Sequence, residues 1–111
     1  MMILKEQPIR SQKLRRSAQG HPCTLRIPGV CNGSADTSIL AHPPIANGGM
    51  GGKASDEAGA NCCSDCQDAI DGRTAPWGLT EQEIYECWIR GHQETLTYWR
   101  QMGLISIRGA A

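Results

Sequence analysis

Two pairs of cysteines constrain the fold of this chain more than any other feature of its sequence. Cys63 and Cys66 form a C-x2-C knuckle, whose tight turn directs two thiolates at one tetrahedral metal ion. Cys23 and Cys31 form a wider pair, with a Pro-Gly turn between them. Together the pairs predict a four-cysteine site for a structural Zn²⁺. The alternative is two disulfides, which would require an oxidising compartment and usually an export signal.

The N-terminal segment favours zinc over disulfides. Residues 1–16 contain no apolar run long enough for a signal peptide or a membrane span. We therefore expect a cytoplasmic protein, with no membrane partner. The remaining cysteines, Cys62 and Cys87, are interpreted as a neighbour of the knuckle and a small buried residue.

The composition indicates that the fold needs stabilisation beyond its apolar core. The chain has 111 residues, no phenylalanine and only 5% aromatic residues, which predicts one small domain with a poor core. Zinc binding, on the order of 10 kcal/mol, can replace the missing burial. The net charge of zero hides a basic N-terminal arm, which is either a solvated tail or a phosphate-binding segment.

We predict three regions: the basic arm at 1–19, a zinc-binding core at 20–75, and a C-terminal helix within 76–111. Thr80 and Glu83 form a capping box that predicts the helix start, and Gly103 predicts its end. Its apolar stripe is expected to dock on the core rather than on a partner. The stripe consists of Ile84, Cys87, Trp88, Thr95, Tyr98, Trp99 and Met102, and Gly91 is expected to weaken the middle of the helix.

Three polar residues suggest a hydrolytic site. His42 ends a predicted strand over 37–42, where two prolines stop the ladder. Gln67 and Asp71 lie four residues apart in a short predicted helix that ends at Gly72, so both can face one divalent metal ion. The alternative is structural: His42 only donates a hydrogen bond, and Asp71 caps the helix or pairs with Arg73.

A larger pattern appears when the motifs are taken in order along the chain. They are Cys23-x-x-Arg26-Ile27-Pro28-Gly29-x-Cys31-Asn32, Thr37-x-x-Leu40-Ala41-His42, Gly49-x-Gly51-x-Lys53-x-x-Asp56, Cys63-x-x-Cys66 and Ile70-Asp71-Gly72-Arg73-Thr74. This order resembles the small phage and prophage nucleases of the HNH, or ββα-metal, type. The YbcO-like family is the nearest, and the RecA-dependent recombination-enhancement nuclease of a phage is a larger, more distant relative. The resemblance covers roughly residues 12–75.

The resemblance implies an α+β fold: a small zinc-stapled ββα-metal (HNH, treble-clef-like) domain with a C-terminal amphipathic helix. His42 would be the general base that activates water, and Asp71 would help to hold a catalytic Mg²⁺ or Mn²⁺. Family members usually have histidine after the second knuckle cysteine, where this chain has Gln67, a neutral oxygen ligand suited to hard cations. The structural Zn²⁺ would bind separately, to Cys23, Cys31, Cys63 and Cys66.

The resulting hypothesis is a phage-derived DNA endonuclease that acts in recombination or replication, with a recombinase such as RecA as a candidate partner. Two alternatives remain open: a zinc module that binds DNA without cutting it, and a zinc-stapled adaptor whose C-terminal helix binds another protein. Lys53 and Asp56 match a glycine-rich segment of the family without an assigned role. The expected DNA-backbone contacts are Lys13, Arg15, Arg16, Arg26, Lys53 and Arg73.

Overall fold

The computed structural model describes residues 9–44 and 55–109. Within those residues the chain forms a small α+β domain with three α-helices and one two-stranded sheet. In chain order the elements are α1 (Gln12–Ala18), β1 (Ile39–Ala41), β2 (Ala60–Cys62), α2 (Ser64–Ile70) and α3 (Glu81–Gln101), with single 3₁₀ turns at Ala35–Thr37 and Asp56–Ala58. No helix among the described residues is both long and apolar enough to cross a membrane.

The two strands are antiparallel, and their register places two candidate sites at opposite ends. Ile39 pairs with Cys62, and Ala41 pairs with Ala60. Cys63 therefore follows the sheet at one end, whereas His42 follows it at the other. The predicted strand over 37–42 is shorter in the structure, because Thr37 belongs to a 3₁₀ turn and its hydroxyl accepts the Ser64 N–H at 3.1 Å.

Helix α3 packs on β2 through a buried hydrogen-bonded network. The Asn61 N–H donates to Thr95 Oγ1 at 3.0 Å, and the Thr24 N–H and hydroxyl both donate to the Asn61 carbonyl. Gly91 belongs to this contact: a Cβ there would lie 2.6 Å from Leu25 Cδ1. Glycine therefore allows α3 to approach the segment that carries Cys23, rather than merely weakening the helix.

The predicted bounds of the C-terminal helix are confirmed. Thr80 caps α3 through the full capping box, and the helix stops before Gly103, which has φ +72°. Its buried face consists of Trp88, Gly91, Thr95 and Trp99. Met102 was wrongly placed on that face: it follows the last helical residue and is 60% exposed.

The described part of the basic N-terminal segment is folded. Ser11 caps α1 by accepting the Leu14 N–H, and Leu14 and Ala18 are buried. Trp99 of α3 is fully buried and donates its indole N–H to Ser17 Oγ at 3.0 Å. The first described residues are tied down as well, since the Asp56 N–H donates to the Ile9 carbonyl at 2.9 Å. Residues 9–18 are therefore attached to the core.

Candidate metal site and active site

The four predicted cysteines lie together. The Sγ atoms of Cys23, Cys31, Cys63 and Cys66 are all within 4.8 Å of one another. Cys23 and Cys66 are 3.7 Å apart, and Cys31 and Cys63 are 3.9 Å apart. In a tetrahedral site with Zn–S bonds of about 2.3 Å, sulfur atoms lie about 3.8 Å from each other. The four thiols could therefore hold a metal ion such as zinc, and the structure shows them as free thiols rather than disulfides.

Local structure directs these sulfurs inward. Cys63 is the N-cap of α2, and its sulfur accepts the Cys66 N–H at 3.4 Å. Cys23 accepts the Arg26 N–H at 3.5 Å in the same way. The turn that brings Cys31 back is closed by its N–H, which donates to the Ile27 carbonyl at 3.0 Å. Such N–H donors favour thiolates, which are the form that binds metal.

The charge state of the cluster fits a cation at its centre. The hydrogen bond from Cys66 lowers the pKa of Cys23 to about 4, and the same bond raises the pKa of Cys66. Burial raises the pKa of Cys31. Four thiolates this close would repel one another, so full ionisation requires a bound positive charge. Cys62 is buried beside the cluster, and burial raises its pKa.

At the other end of the sheet, His42 meets a fully buried carboxylate. His42 Nε2 lies 3.0 Å from Oδ1 of Asp56, whose side chain is 0% exposed. Oδ2 of the same carboxylate accepts the Ser11 N–H at 2.7 Å and Arg15 Nε at 3.0 Å. Arg10 Nη1 lies 3.5 Å from Oδ1. Asp56 therefore joins the N-terminal segment to His42, the residue that follows β1.

Asp56 is charged in this setting. Burial alone would raise its pKa, but the Ser11 N–H, His42 and Arg15 outweigh burial and hold the pKa of Asp56 below its ordinary value. Sequence reasoning gave Asp56 no role. The available signal was its place in the Lys53-x-x-Asp56 motif, but Lys53 lies outside the described residues, as does the glycine-rich run before it.

Gln67 and Asp71 share one face of α2, as their spacing predicted. Gln67 Nε2 donates to Asp71 Oδ2 at 2.6 Å. Asp71 also lines an open cavity of about 610 Å³. Pro44, two residues after His42, lines the same cavity, so the end of α2 and the chain leaving His42 border one space. Of the two structural alternatives for Asp71, the cap is confirmed and the ion pair is wrong. Asp71 is the C-cap residue of α2, whereas Arg73 lies 3.5 Å from Asp68.

The predicted DNA contacts have different surroundings. Lys13, Arg15 and Arg16 all lie on exposed positions of α1, and Arg15 reaches Asp56. Arg26, with a φ of +46°, makes two hydrogen bonds to the Glu94 carboxylate at 2.9 and 2.5 Å. That carboxylate also lies 3.9 Å from Arg90 Nε. Three of the predicted DNA contacts have an acidic partner, and each keeps about half or more of its side chain exposed: Arg15, Arg26 and Arg73.

The fold and the thiol cluster define a small α+β protein with a cysteine site of the kind that holds a metal ion. A family model described as "Putative nuclease YbcO" matches residues 12–104, and the chain belongs to this family. The predicted YbcO-like membership is thus confirmed, whereas the HNH assignment stays a prediction.

Relatives and a solved structure agree with this assignment. The chain is 40% identical over 93 residues to "Putative nuclease YbcO" of Escherichia coli strain K12, and equally to "Putative nuclease ybcO" of Enterobacteria phage 82. Each match covers 83% of this chain and 95% of the relative. The solved structure of a "putative bacteriophage protein" from Escherichia coli K-12 superposes with a TM-score of 0.68 at 36% identity. That match covers 82% of this chain and 100% of the other.

Proposed function

We propose that this protein is a metal-dependent DNA endonuclease of the HNH, or ββα-metal, type, which hydrolyses phosphodiester bonds in phage recombination or replication in the host cytoplasm. The relatives named as nucleases, one of them from a phage, support the reaction class and the setting. The observation that carries the proposal is the contact between His42 Nε2 and the buried carboxylate of Asp56 at 3.0 Å, directly after β1.

The geometry suits His42 to act as a general base. When the neutral imidazole donates its Nε2 proton to Asp56, the lone pair lies on Nδ1, which can take a proton from water. The positive charge that then forms on the ring is stabilised by the Asp56 carboxylate. This is the role that a buried carboxylate has beside a histidine base in other hydrolases.

The order β1, β2, α2 supports the ββα-metal assignment. Helix α2 begins at the Cys63 end of the sheet. Its last residues line the cavity that Pro44, near His42, also lines. Gln67 Oε1 and Asp71 Oδ1 are the oxygen donors that would hold the catalytic ion. Oxygen ligands fit Mg²⁺ or Mn²⁺ better than softer metals. When bound, the ion would polarise the phosphate and stabilise the leaving oxygen.

The thiol cluster has a separate, structural role in this proposal. Zn²⁺ held by Cys23, Cys31, Cys63 and Cys66 leaves no ligand position for water, because all four positions are taken by sulfur. It would connect the 23–31 loop to the start of α2 and so fix the end of the sheet. Backbone phosphates would be bound chiefly by Arg15, with smaller contributions from Lys13, Arg16, Arg26, Lys53 and Arg73.

A second candidate function is DNA binding without cleavage. The observation that favours it is the 2.6 Å hydrogen bond from the Gln67 amide to Asp71, by which the two proposed ligands satisfy each other. A histidine after Cys66 would be the stronger ligand, and this chain lacks one.

DNA nicking distinguishes the two. Purified protein is incubated with supercoiled plasmid and with single-stranded, duplex and branched oligonucleotides, in Mg²⁺ or Mn²⁺, with and without RecA. We expect the parent to nick and His42→Ala to lose between about 100-fold and 10,000-fold of the rate. His21→Ala is the matched control, since His21 is also half-buried but contacts Tyr98 instead; it should keep the parent rate.

The affinity for DNA is measured on the same proteins. If the parent and the variant both bind DNA and neither nicks it, the protein is a DNA-binding module rather than an endonuclease. Nicking that persists at the parent rate in His42→Ala would assign the activity to another residue or to a contaminant. A rate that rises only when RecA is added would make the recombinase a required partner.

A further inference from the structure

Asp56 holds an exposed arginine beside His42. Its single carboxylate accepts or faces Arg10, Arg15 and the His42 imidazole, while its own side chain is 0% exposed. The Arg15 side chain is 51% exposed, so its guanidinium group can be reached from solvent next to the histidine.

The mode of contact leaves Arg15 suited to bind a ligand. It meets Asp56 through Nε, at 3.0 Å. A guanidinium group has five N–H donors in one plane, so fixing Nε orients the two terminal nitrogens without occupying them. Such a planar fork matches two oxygens of a phosphate group. The Ser11 N–H on the same carboxylate, at 2.7 Å, fixes the start of α1 and with it the position of Arg15.

We infer that Asp56 is a positioning residue that prepares Arg15, beside His42, to bind a phosphate group, and that the ligand is a backbone phosphodiester group of DNA. The inference rests on the proposed action on DNA and specifies where the backbone binds. Arg15 provides the bidentate contact. Holding its side chain in advance lowers the entropy cost of binding, which a loose surface arginine bears in full.

Arg16 provides the matched comparison. It neighbours Arg15 on α1, is exposed and carries the same charge, but Asp56 holds Arg15. If only the net charge of the helix mattered, Arg15→Gln and Arg16→Gln would weaken DNA binding equally. If the site is built as inferred, Arg15→Gln weakens binding between about 10-fold and 100-fold, the worth of a hydrogen bond to a charged group. Arg16→Gln then costs no more than about threefold.

Two further variants separate geometry from charge. Arg15→Lys keeps the charge but loses the planar fork, and we expect its affinity to remain close to that of Arg15→Gln. Asp56→Asn removes a negative charge, which by Coulomb attraction alone would strengthen DNA binding. We expect it to weaken binding, because the asparagine NH₂ group would face N–H donors and would no longer hold Arg15.

The experiment measures the dissociation constant for a fluorescent duplex and a single strand of equal length, without added magnesium or manganese, on the full chain with its structural metal. Melting temperature and metal content show that each variant is folded. Equal losses in Arg15→Gln and Arg16→Gln, or tighter binding by folded Asp56→Asn, would overturn the inference. If Asp56→Asn does not fold, the Arg15 and Arg16 pair decides alone.

The same data separate this inference from the proposed function. A protein that never nicks but loses affinity specifically in Arg15→Gln has the phosphate site and is not an endonuclease. A protein that nicks, with Arg15→Gln and Arg16→Gln alike in affinity, is an endonuclease that holds its DNA elsewhere.

Discussion

The cysteine site and the histidine site lie at opposite ends of the same short sheet, and they are built in different ways. The cysteine site joins two local turns, 23–31 and 63–66, and its four sulfurs face one another. The histidine site joins Ser11, Arg15, His42 and Asp56, which come from three separate segments and form hydrogen bonds around one carboxylate. The first site can be read from spacing, whereas the second exists only in the folded chain.

The difference also concerns what each site can do. Four sulfur ligands saturate a tetrahedral ion, so a metal there stabilises the fold without presenting an open position to a substrate. The histidine site instead has partly exposed cations and lies near a cavity bordered by Pro44 and Asp71. We therefore expect damage to the first site to remove the structure and damage to the second to remove activity alone.

The largest expected effect is from Cys66→Ser. Loss of one thiolate should abolish metal binding and unfold the chain, because the binding energy, on the order of 10 kcal/mol, is as large as the whole stability of a small domain. Circular dichroism with metal analysis measures both. Cys87→Ser is the matched control, since Cys87 is half-buried on α3 and outside the cluster, and it should retain one metal ion. A folded, metal-free Cys66→Ser protein would show that metal binding at the four cysteines does not stabilise the fold.

The next effect is from Gln67→His, which changes a proposed ligand of the catalytic ion and leaves all four cysteines of the cysteine site in place. Imidazole binds cobalt and nickel better than an amide oxygen does. We expect nicking with those ions to rise relative to magnesium by between about 10-fold and 100-fold, the range in which ligand changes act on a metal site. The structural metal content and melting temperature should not change. An unaltered metal preference would mean that residue 67 is not a ligand.

Gly91→Ala tests the contact between α3 and the segment after Cys23. The new Cβ would lie 2.7 Å from Thr24 Oγ1 and 3.2 Å from the Thr24 carbonyl carbon, and Thr24 is held by Asn61. Overpacking at the upper end of its usual range, about 3 kcal/mol, exceeds the gain of about 1 kcal/mol in helix propensity. We expect a net loss of about 2 kcal/mol in the free energy of unfolding. Urea unfolding measures it.

The control for that variant is Gln93→Ala, at an exposed position two residues further along α3. It should leave stability nearly unchanged. If Gly91→Ala were as stable as Gln93→Ala, the close approach of α3 to Thr24 would be wrong. If it also lowered metal affinity without unfolding, α3 would be shown to position Cys23.

Sequence reasoning succeeded where the determinants are local. The capping box at Thr80, the helical stop at Gly72 and the turn before Cys31 each depend on a few neighbouring residues, and the structure has all three. It failed where distant segments meet. Asp56 received no role because the partners of its carboxylate are 14 to 46 positions away in sequence, and a similar distance hid the contact that holds Arg15. Gly91 was judged by helix propensity, since its neighbour Leu25 is visible only after folding.

The smallest expected effect is from Thr80→Ala, which lies outside both sites. Thr80 Oγ1 accepts the Glu83 N–H at 3.1 Å, and the Glu83 carboxylate accepts the Thr80 N–H at 2.9 Å. Removing the cap should cost about 1 kcal/mol in stability. Thr97→Ala is the matched control, because its exposed hydroxyl donates to the Gln93 carbonyl and accepts from Arg100, both within α3, and alanine is the better helix former. Neither variant should change metal content or the nicking rate per folded molecule. The start of α3 lines the same cavity as Asp71. If Thr80→Ala alone lowered the nicking rate, the start of α3 would belong to the active site as well as to the structural framework.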